Sequence, residues 1–416
     1  MSINITPPHQ GARFINKGFV CSFTLSNEDQ LTVNAVKKLN VLKVSSQSAS
    51  QARHISFNDI ISVSVGTEEW KVNPKLHSFL DEELASKSVL SNTVSSCSCL
   101  TLNSVVKKKD CKWKLQTLKF KTFDASTCEQ WASYLQILCD KKVESQGLKR
   151  PKKLLVFINP YGGRRKAKQT YDSIVGPIFE MCEIQCTVIT TQYKDHAKEY
   201  VENEDLSGYC GIVSVGGDGI LKEIVTGILI RTQKEENQPI DIPSIDKPFK
   251  YAKPKLRIGI IPAGSTDCLC YTLHGVIDPE TAALHIAVGD KHPLDLCSIH
   301  DHSGKLLQYS FAMTSYGFYG NVLKRSEQMR AIGPSRYDFA GFQSFVQLKS
   351  YPGEIKYLPC TYSMKDNLRN DNSRCRYPCN VCLNDRDQET NEKSVQSNNN
   401  NANITMANNA NNWKVT

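Results

Sequence analysis

Apolar and polar positions alternate through the first third of the chain. Residues 19–25, 30–33, 55–65, 99–106 and 113–121 carry the two-residue period of half-buried strands. The period then lengthens. Across 125–138, Cys128, Trp131, Leu135 and Leu138 recur at helical spacing, predicting one helix whose apolar face meets the strands. Past a polar linker at 148–153, strands and helices alternate. Leu154-Leu155-Val156-Phe157-Ile158 and Gly211-Ile212-Val213-Ser214-Val215 are short apolar runs of the kind buried in parallel sheets, and 185–191 and 256–261 add two more strands. Helices are predicted near 171–181, 196–202 and 220–230, so the second third reads as a parallel sheet covered by helices. The polar, proline-bearing stretch 233–255 reads as an inserted surface loop.

Three of these strands run into glycine turns. The first is Asn159-Pro160-Tyr161-Gly162-Gly163, with Arg164, Arg165, Lys166 and Lys168 following; the second is Gly216-Gly217-Asp218-Gly219; the third is Pro262-Ala263-Gly264-Ser265-Thr266-Asp267. Glycine lets backbone N–H groups approach an anion closely, and a helix start adds partial positive charge. Ligands of parallel sheets gather at the carboxyl ends of the strands, where all three turns lie. A carboxylate at Asp218, beside a phosphate, suits a group that accepts the proton of an attacking hydroxyl or helps position Mg²⁺; capping the helix is the plainer alternative. Ser265 and Thr266 offer hydroxyls to a phosphate, or cap the next helix.

Composition narrows the setting. The 416 residues suffice for two or three domains, and 40% hydrophobic residues is ordinary for a globular protein. No signal peptide and no membrane-length apolar stretch is present, which predicts synthesis in the cytosol. Sixteen scattered cysteines predict reduced thiols with at most one local cluster. A formal charge of +9 favours anionic surfaces or nucleotides without choosing between them, and nothing else points to nucleic acid.

Several strands closed by one Trp131-bearing helix resemble a pleckstrin-homology domain, an expectation for residues 1–145. The resemblance implies a membrane surface, and phosphoinositides, as partners. Lys17, Lys37, Lys38 and Lys43 are thinly spaced, whereas Lys107, Lys108 and Lys109 form a denser run. The three glycine turns, with Glu223 after the second and Cys268, Cys270 and Tyr271 after the third, resemble the nucleotide loops of the diacylglycerol-kinase-type lipid kinases, the ceramide kinases among them. Tyr316-Gly317-Phe318-Tyr319-Gly320, Arg336-Tyr337-Asp338-Phe339 and the trio Cys375, Cys379 and Cys382 extend the similarity.

The resemblance implies ATP- and Mg²⁺-dependent phosphoryl transfer to a lipid hydroxyl, with ceramide or a related sphingolipid as substrate, possible calcium stimulation, and peripheral association with Golgi or plasma membranes. Under it Asp218 is the base; Asn159, Pro160, Gly162, Gly163, Gly216, Gly217, Gly219, Glu223, Gly264, Ser265, Thr266, Arg330 and Arg336 are the nucleotide-binding set. Leu323, or Asn321 in a shifted alignment, stands where sphingosine kinases carry an acid facing an ammonium, which favours an acyl-amide lipid. Sphingosine kinase, diacylglycerol kinase and a non-catalytic lipid-binding regulator are the alternatives. Cys375, Cys379 and Cys382, with Cys360 as a possible fourth ligand, are spaced for zinc or for a reduced thiol cluster.

The predicted architecture is multidomain: a pleckstrin-homology-like β domain (1–145), an α/β nucleotide-binding domain with a parallel sheet (150–292), an incomplete β-rich lipid-binding domain (293–383), and an asparagine-rich disordered tail (384–416). Two departures from the family stand out. Arg165 occupies a position where glycine is usual, and the β-rich domain is expected to lack its last strands, leaving unpaired edges.

Overall fold

A computed structural model describes residues 8, 13–16, 19–26, 30–38, 53–71, 94–122, 124–145, 147–163, 165–242, 251–312, 314–347, 349–351, 356–357 and 414–415. Two compact units are formed, one comprising 1–291 with 300–308, the other 292–299 with 309–416.

The first unit opens with seven antiparallel strands: β1 (Arg13–Asn16), β2 (Phe19–Ser26), β3 (Gln30–Lys38), β4 (Arg53–Ser56), β5 (Ile60–Lys71), β6 (Val94–Lys107) and β7 (Trp113–Thr122), in the order β4-β3-β2-β1-β7-β6-β5. The strand predicted at 55–65 is two strands. Asn58 and Asp59 make a turn there, with Asn58 N–H donating to Ser56 Oγ and Asp59 N–H to Ser56 O. Helix α1 (Ala125–Ser145) closes the sheet and buries Cys128, Trp131 and Leu135. Trp131 meets Phe23 edge-on at 5.1 Å, and Phe23 in turn stacks on Phe14, so the core is aromatic where sheet and helix meet.

A parallel sheet follows, built from β8 (Lys153–Ile158), β9 (Gln185–Thr190), β10 (Gly211–Gly216) and β11 (Arg257–Pro262) in the order β11-β10-β8-β9. β8 and β10 are buried along their length, as their apolar runs require. Between β8 and β9 lie α2 (Ala167–Thr170), a π turn (Tyr171–Val175) and α3 (Gly176–Met181). The change of ladder is adjacent to Pro177, which has no N–H to donate. Next come α4 (His196–Asn203), α5 (Asp218–Glu235), α6 (Cys268–His274) and α7 (Pro279–Val288). The polar stretch predicted as a loop from 233 begins inside α5, because Gln233 is fully buried and its amide exchanges hydrogen bonds with Ala252 N–H and C=O.

The two sheets share apolar packing. Ile61, Val105 and Trp113 of the antiparallel sheet belong to the same buried cluster as Val156, Val213, Ala282 and Leu284. Trp113 N–H donates to Thr281 Oγ1 at 3.0 Å, Leu115 N–H to Glu280 Oε1 at 2.8 Å, and Lys114 pairs with Glu280 at 2.6 Å. The boundary expected near 145–150 therefore falls inside one compact unit.

Beyond α7 come β12 (Cys297–His300), β13 (Leu306–Ser310), α8 (Phe318–Gln328), a 3₁₀ segment (Arg330–Ser335), α9 (Arg336–Gln347), and the short antiparallel pair β14 (Lys356–Tyr357) and β15 (Lys414–Val415). Where a β-rich domain was expected, the described residues hold more helix than strand. Val322 and Ser326 are buried on α8, and Ala340 and Ser344 on α9, at the four-residue spacing of packed helices. The asparagine-rich stretch and Cys360, Cys375, Cys379 and Cys382 lie outside the described residues. No described helix is long and apolar enough to cross a membrane.

Candidate functional site

Each glycine turn leaves the carboxyl end of a neighbouring strand, so the register of the sheet brings them together. Val215 pairs with both Ile158 and Ile261, placing the ends of β8, β10 and β11 side by side. The turns then touch through glycines. A Cβ on Gly264 would stand 2.4 Å from Gly217 Cα, and one on Gly163, whose φ is +54°, would stand 2.5 Å from the Gly264 carbonyl carbon. No side chain fits at this junction. Asn159 lies between two turns: its Oδ1 accepts from Tyr161 N–H at 2.9 Å, and Gly216 backs onto its Cβ.

The third turn is pinned by a residue to which inspection of residue types assigns no role. Asp267 is 7% exposed, and both its carboxylate oxygens accept from Gly264 N–H, at 3.0 and 3.1 Å. The Gly264 amide, expected to face phosphate, is thus engaged within the loop, and Gly264 contributes close approach instead. Ser265 and Thr266, the residues that draw the eye in the motif, are exposed on the same turn. The signal for Asp267 is its spacing, an acid three residues after a turn glycine.

Asp218 begins α5 and reaches the start of α6. Its Oδ2 accepts from Cys268 N–H at 3.0 Å and its Oδ1 from Leu269 N–H at 3.3 Å. Two backbone donors therefore orient a half-buried carboxylate at the glycine junction. The first turn of α5 supplies further backbone N–H groups at Gly219 and beyond, unbonded within the helix by geometry. A carboxylate so held can accept a proton from a hydroxyl lying beside an anion bound at the turns.

Glu223 stands apart from the turns. Burial raises its pKa above the ordinary range, against the opposing pull of the Asp195 and Ala197 backbone N–H groups. Arg165 adopts φ +59°, the left-handed conformation glycine takes readily, with its N–H bonded to Gly162 O at 2.9 Å. Arg336 belongs to the second unit, where its guanidinium lies 4.8 Å from the Tyr337 ring centre and 3.6 Å from Glu327. The side chain of Arg330 lies outside the described residues. Leu323 is exposed on α8, and Asn321 Nδ2 donates to Tyr351 Oη at 2.6 Å. Among the described residues no group of three His, Cys, Asp or Glu side chains is arranged to hold a metal ion.

Residues 153–299, which contain all three turns, match the family described as the diacylglycerol kinase catalytic domain. Human ceramide kinase is 38% identical over 294 residues, covering 69% of this chain and 51% of the relative. The chain is similar to the ceramide-kinase-type lipid kinases. Ceramide kinase 1 of Caenorhabditis elegans is 33% identical over 290 residues, covering 68% and 50% of the two chains. Sphingosine kinase 2 of Arabidopsis thaliana is 35% identical over 216 residues, covering 51% and 41%. The chain spans about half the length of the curated ceramide kinases it matches.

Proposed function

We propose that the chain provides the nucleotide-binding and proton-accepting parts of a kinase that transfers the γ-phosphate of ATP to the primary hydroxyl of ceramide, giving ceramide 1-phosphate. The convergence of three glycine turns on the oriented Asp218 carboxylate carries this reading. Backbone N–H groups at Gly216, Gly217 and Gly219, with Ser265 and Thr266, receive the phosphates. Asn159, Pro160, Gly162 and Gly163 form the facing wall. Asp218 takes the hydroxyl proton as the oxygen attacks phosphorus, and ADP leaves.

Mg²⁺ fits this arrangement as a companion of the nucleotide. Such ions are commonly held by one or two carboxylates plus phosphate oxygens, and Asp218 retains lone pairs beyond its two backbone bonds. Bound there, the metal would neutralise phosphate charge. Arg330 and Arg336 are candidates for the same task, guanidinium being matched to phosphate oxygens. A zinc role for Cys375, Cys379 and Cys382 rests on spacing alone.

Ceramide is preferred over sphingosine because apolar Leu323, with Asn321 nearby, offers an ammonium no carboxylate. The antiparallel sheet closed by α1 supports a pleckstrin-homology-like module that brings the protein to membranes. Of the lysine triplet in its β6–β7 hairpin, Lys108 and Lys109 are exposed, while Lys107 pairs with Asp59 at 3.0 Å.

The test is transfer of label from Mg-ATP to ceramide, sphingosine and diacylglycerol presented in mixed micelles. Labelled ceramide is expected. Label on sphingosine alone would overturn the lipid assignment, and label on none, from folded protein, would overturn catalysis by this chain.

A further inference from the structure

Asp267 stands just before α6, at the position where an aspartate ordinarily caps its own helix by accepting an amide of the first turn. Asp267 makes no such bond. Its φ of +50° is left-handed, and its carboxylate turns back to Gly264 N–H instead, at 3.0 and 3.1 Å. The cap comes from another helix. Cys268 N–H donates to Asp218 Oδ2 at 3.0 Å and Leu269 N–H to Asp218 Oδ1 at 3.3 Å, so the acid that begins α5 caps α6.

The stretch from Gly264 to Leu269 is therefore held by one carboxylate at each end. Its start is tied to the residues just before Asp218: Ala263 N–H donates to Gly216 O at 3.0 Å, and Gly264 packs on Gly217 too closely to admit a Cβ. Its end reaches Asp218 itself. The two strand-end turns thus form a closed frame, and the bond from Gly264 to Asp267 is the brace across it. Tyr271 N–H donates to Asp267 O at 3.1 Å, which carries the brace into α6. Without the brace, the amides of Cys268 and Leu269 lose their fixed place relative to the glycine junction.

We infer that Asp267 is a positioning residue for the proton acceptor, setting the two α6 amides that aim the Asp218 carboxylate. The inference rests on the reading of Asp218 given above and adds the residue that aims it.

The full chain, Asp267→Ala, Asp267→Glu, Asp267→Asn and Thr281→Val are compared by amide hydrogen exchange over residues 264–271, Mg-ATP affinity by calorimetry, and steady-state transfer to ceramide. Asp267→Ala is expected to speed exchange at Cys268 and Leu269 about 10-fold and to lower kcat by about 10–100-fold, with KM for Mg-ATP moving less than about 3-fold. A misplaced acceptor slows proton transfer more than it weakens the nucleotide. Asp267→Glu, which keeps the charge and shifts the oxygens by one methylene, falls between and serves should the alanine variant not fold. Asp267→Asn keeps an acceptor for Gly264 N–H and restores both exchange and kcat. Thr281→Val, at the seam between the sheets, lowers stability and leaves both readouts in place. Unchanged exchange or unchanged kcat in both Asp267→Ala and Asp267→Glu overturns the inference. So does an asparagine variant as impaired as the alanine one, or an equal fall in kcat in Thr281→Val. Absence of transfer by the unaltered, folded chain would instead strike the kinase reading, and exchange at Cys268 and Leu269 would still decide whether Asp267 sets those amides.

Discussion

At the residue scale, the glycine junction sets the strictest demand. Gly264 has Gly217 on one side and the Asp267 carboxylate on the other, so even a methyl group displaces one turn from another. Gly264→Ala is expected to cost about 1–3 kcal/mol of stability and to abolish Mg-ATP binding, read by thermal melting and calorimetry. Affinity equal to that of the unaltered chain would show that the turns need not touch. Residue types alone made the glycines and Asp218 legible, since the glycine turns combine strand ends with a helix start in a few consecutive letters. The part played by Asp267 was not legible. Its hydrogen bonds to the Gly264 N–H depend on a loop conformation that residue types do not encode. Arg165 holds a left-handed turn, with φ +59°, that glycine would take without strain.

At the scale of elements, side chains tie strands that are not neighbours. Glu68 on β5 reaches past β6 to Lys119 and Lys121 on β7, at 2.6 Å each, and their hydrogen bonds hold its pKa down at about 2 from an ordinary 4.5. A depressed carboxylate pKa contributes stability that is present above the unfolded value and lost as pH falls through the folded one. Glu68→Gln should therefore melt below the unaltered chain at pH 7, and the gap should close between pH 4.5 and about 2. A gap independent of pH would mean that the lysine pairs are not its source. Element types followed the apolar period closely in β2, β7, β8, β10 and α1. Periodicity was silent on β1, which is four residues long, and on the division of 55–65, where a turn interrupts an apolar run. The β-rich expectation for residues past 293 came from resemblance, and local spacing in α8 and α9 favours helix among the described residues.

At the scale of the whole molecule, the seam between the two sheets of the first unit is built like a core. Thr281 is fully buried; its hydroxyl accepts Trp113 N–H and lies 2.6 Å from Asp278 Oδ2. Thr281→Val keeps the shape and strands the Trp113 N–H, at a cost of about 1–3 kcal/mol. Tryptophan fluorescence should show the antiparallel sheet melting earlier by several degrees, although the substitution lies in the parallel-sheet half. An unshifted fluorescence transition would mean that the halves unfold independently. The central claim concerns Asp218, and paired measurement of Mg-ATP affinity and lipid transfer for Asp218→Asn tests it most directly. Asparagine preserves one acceptor for the α6 amides and removes the base. Transfer to ceramide should fall by about 10²–10⁴-fold, far more than Mg-ATP affinity, which loses only what one carboxylate contributes to holding the metal. Transfer at the unaltered rate would contradict the assignment of Asp218 as proton acceptor.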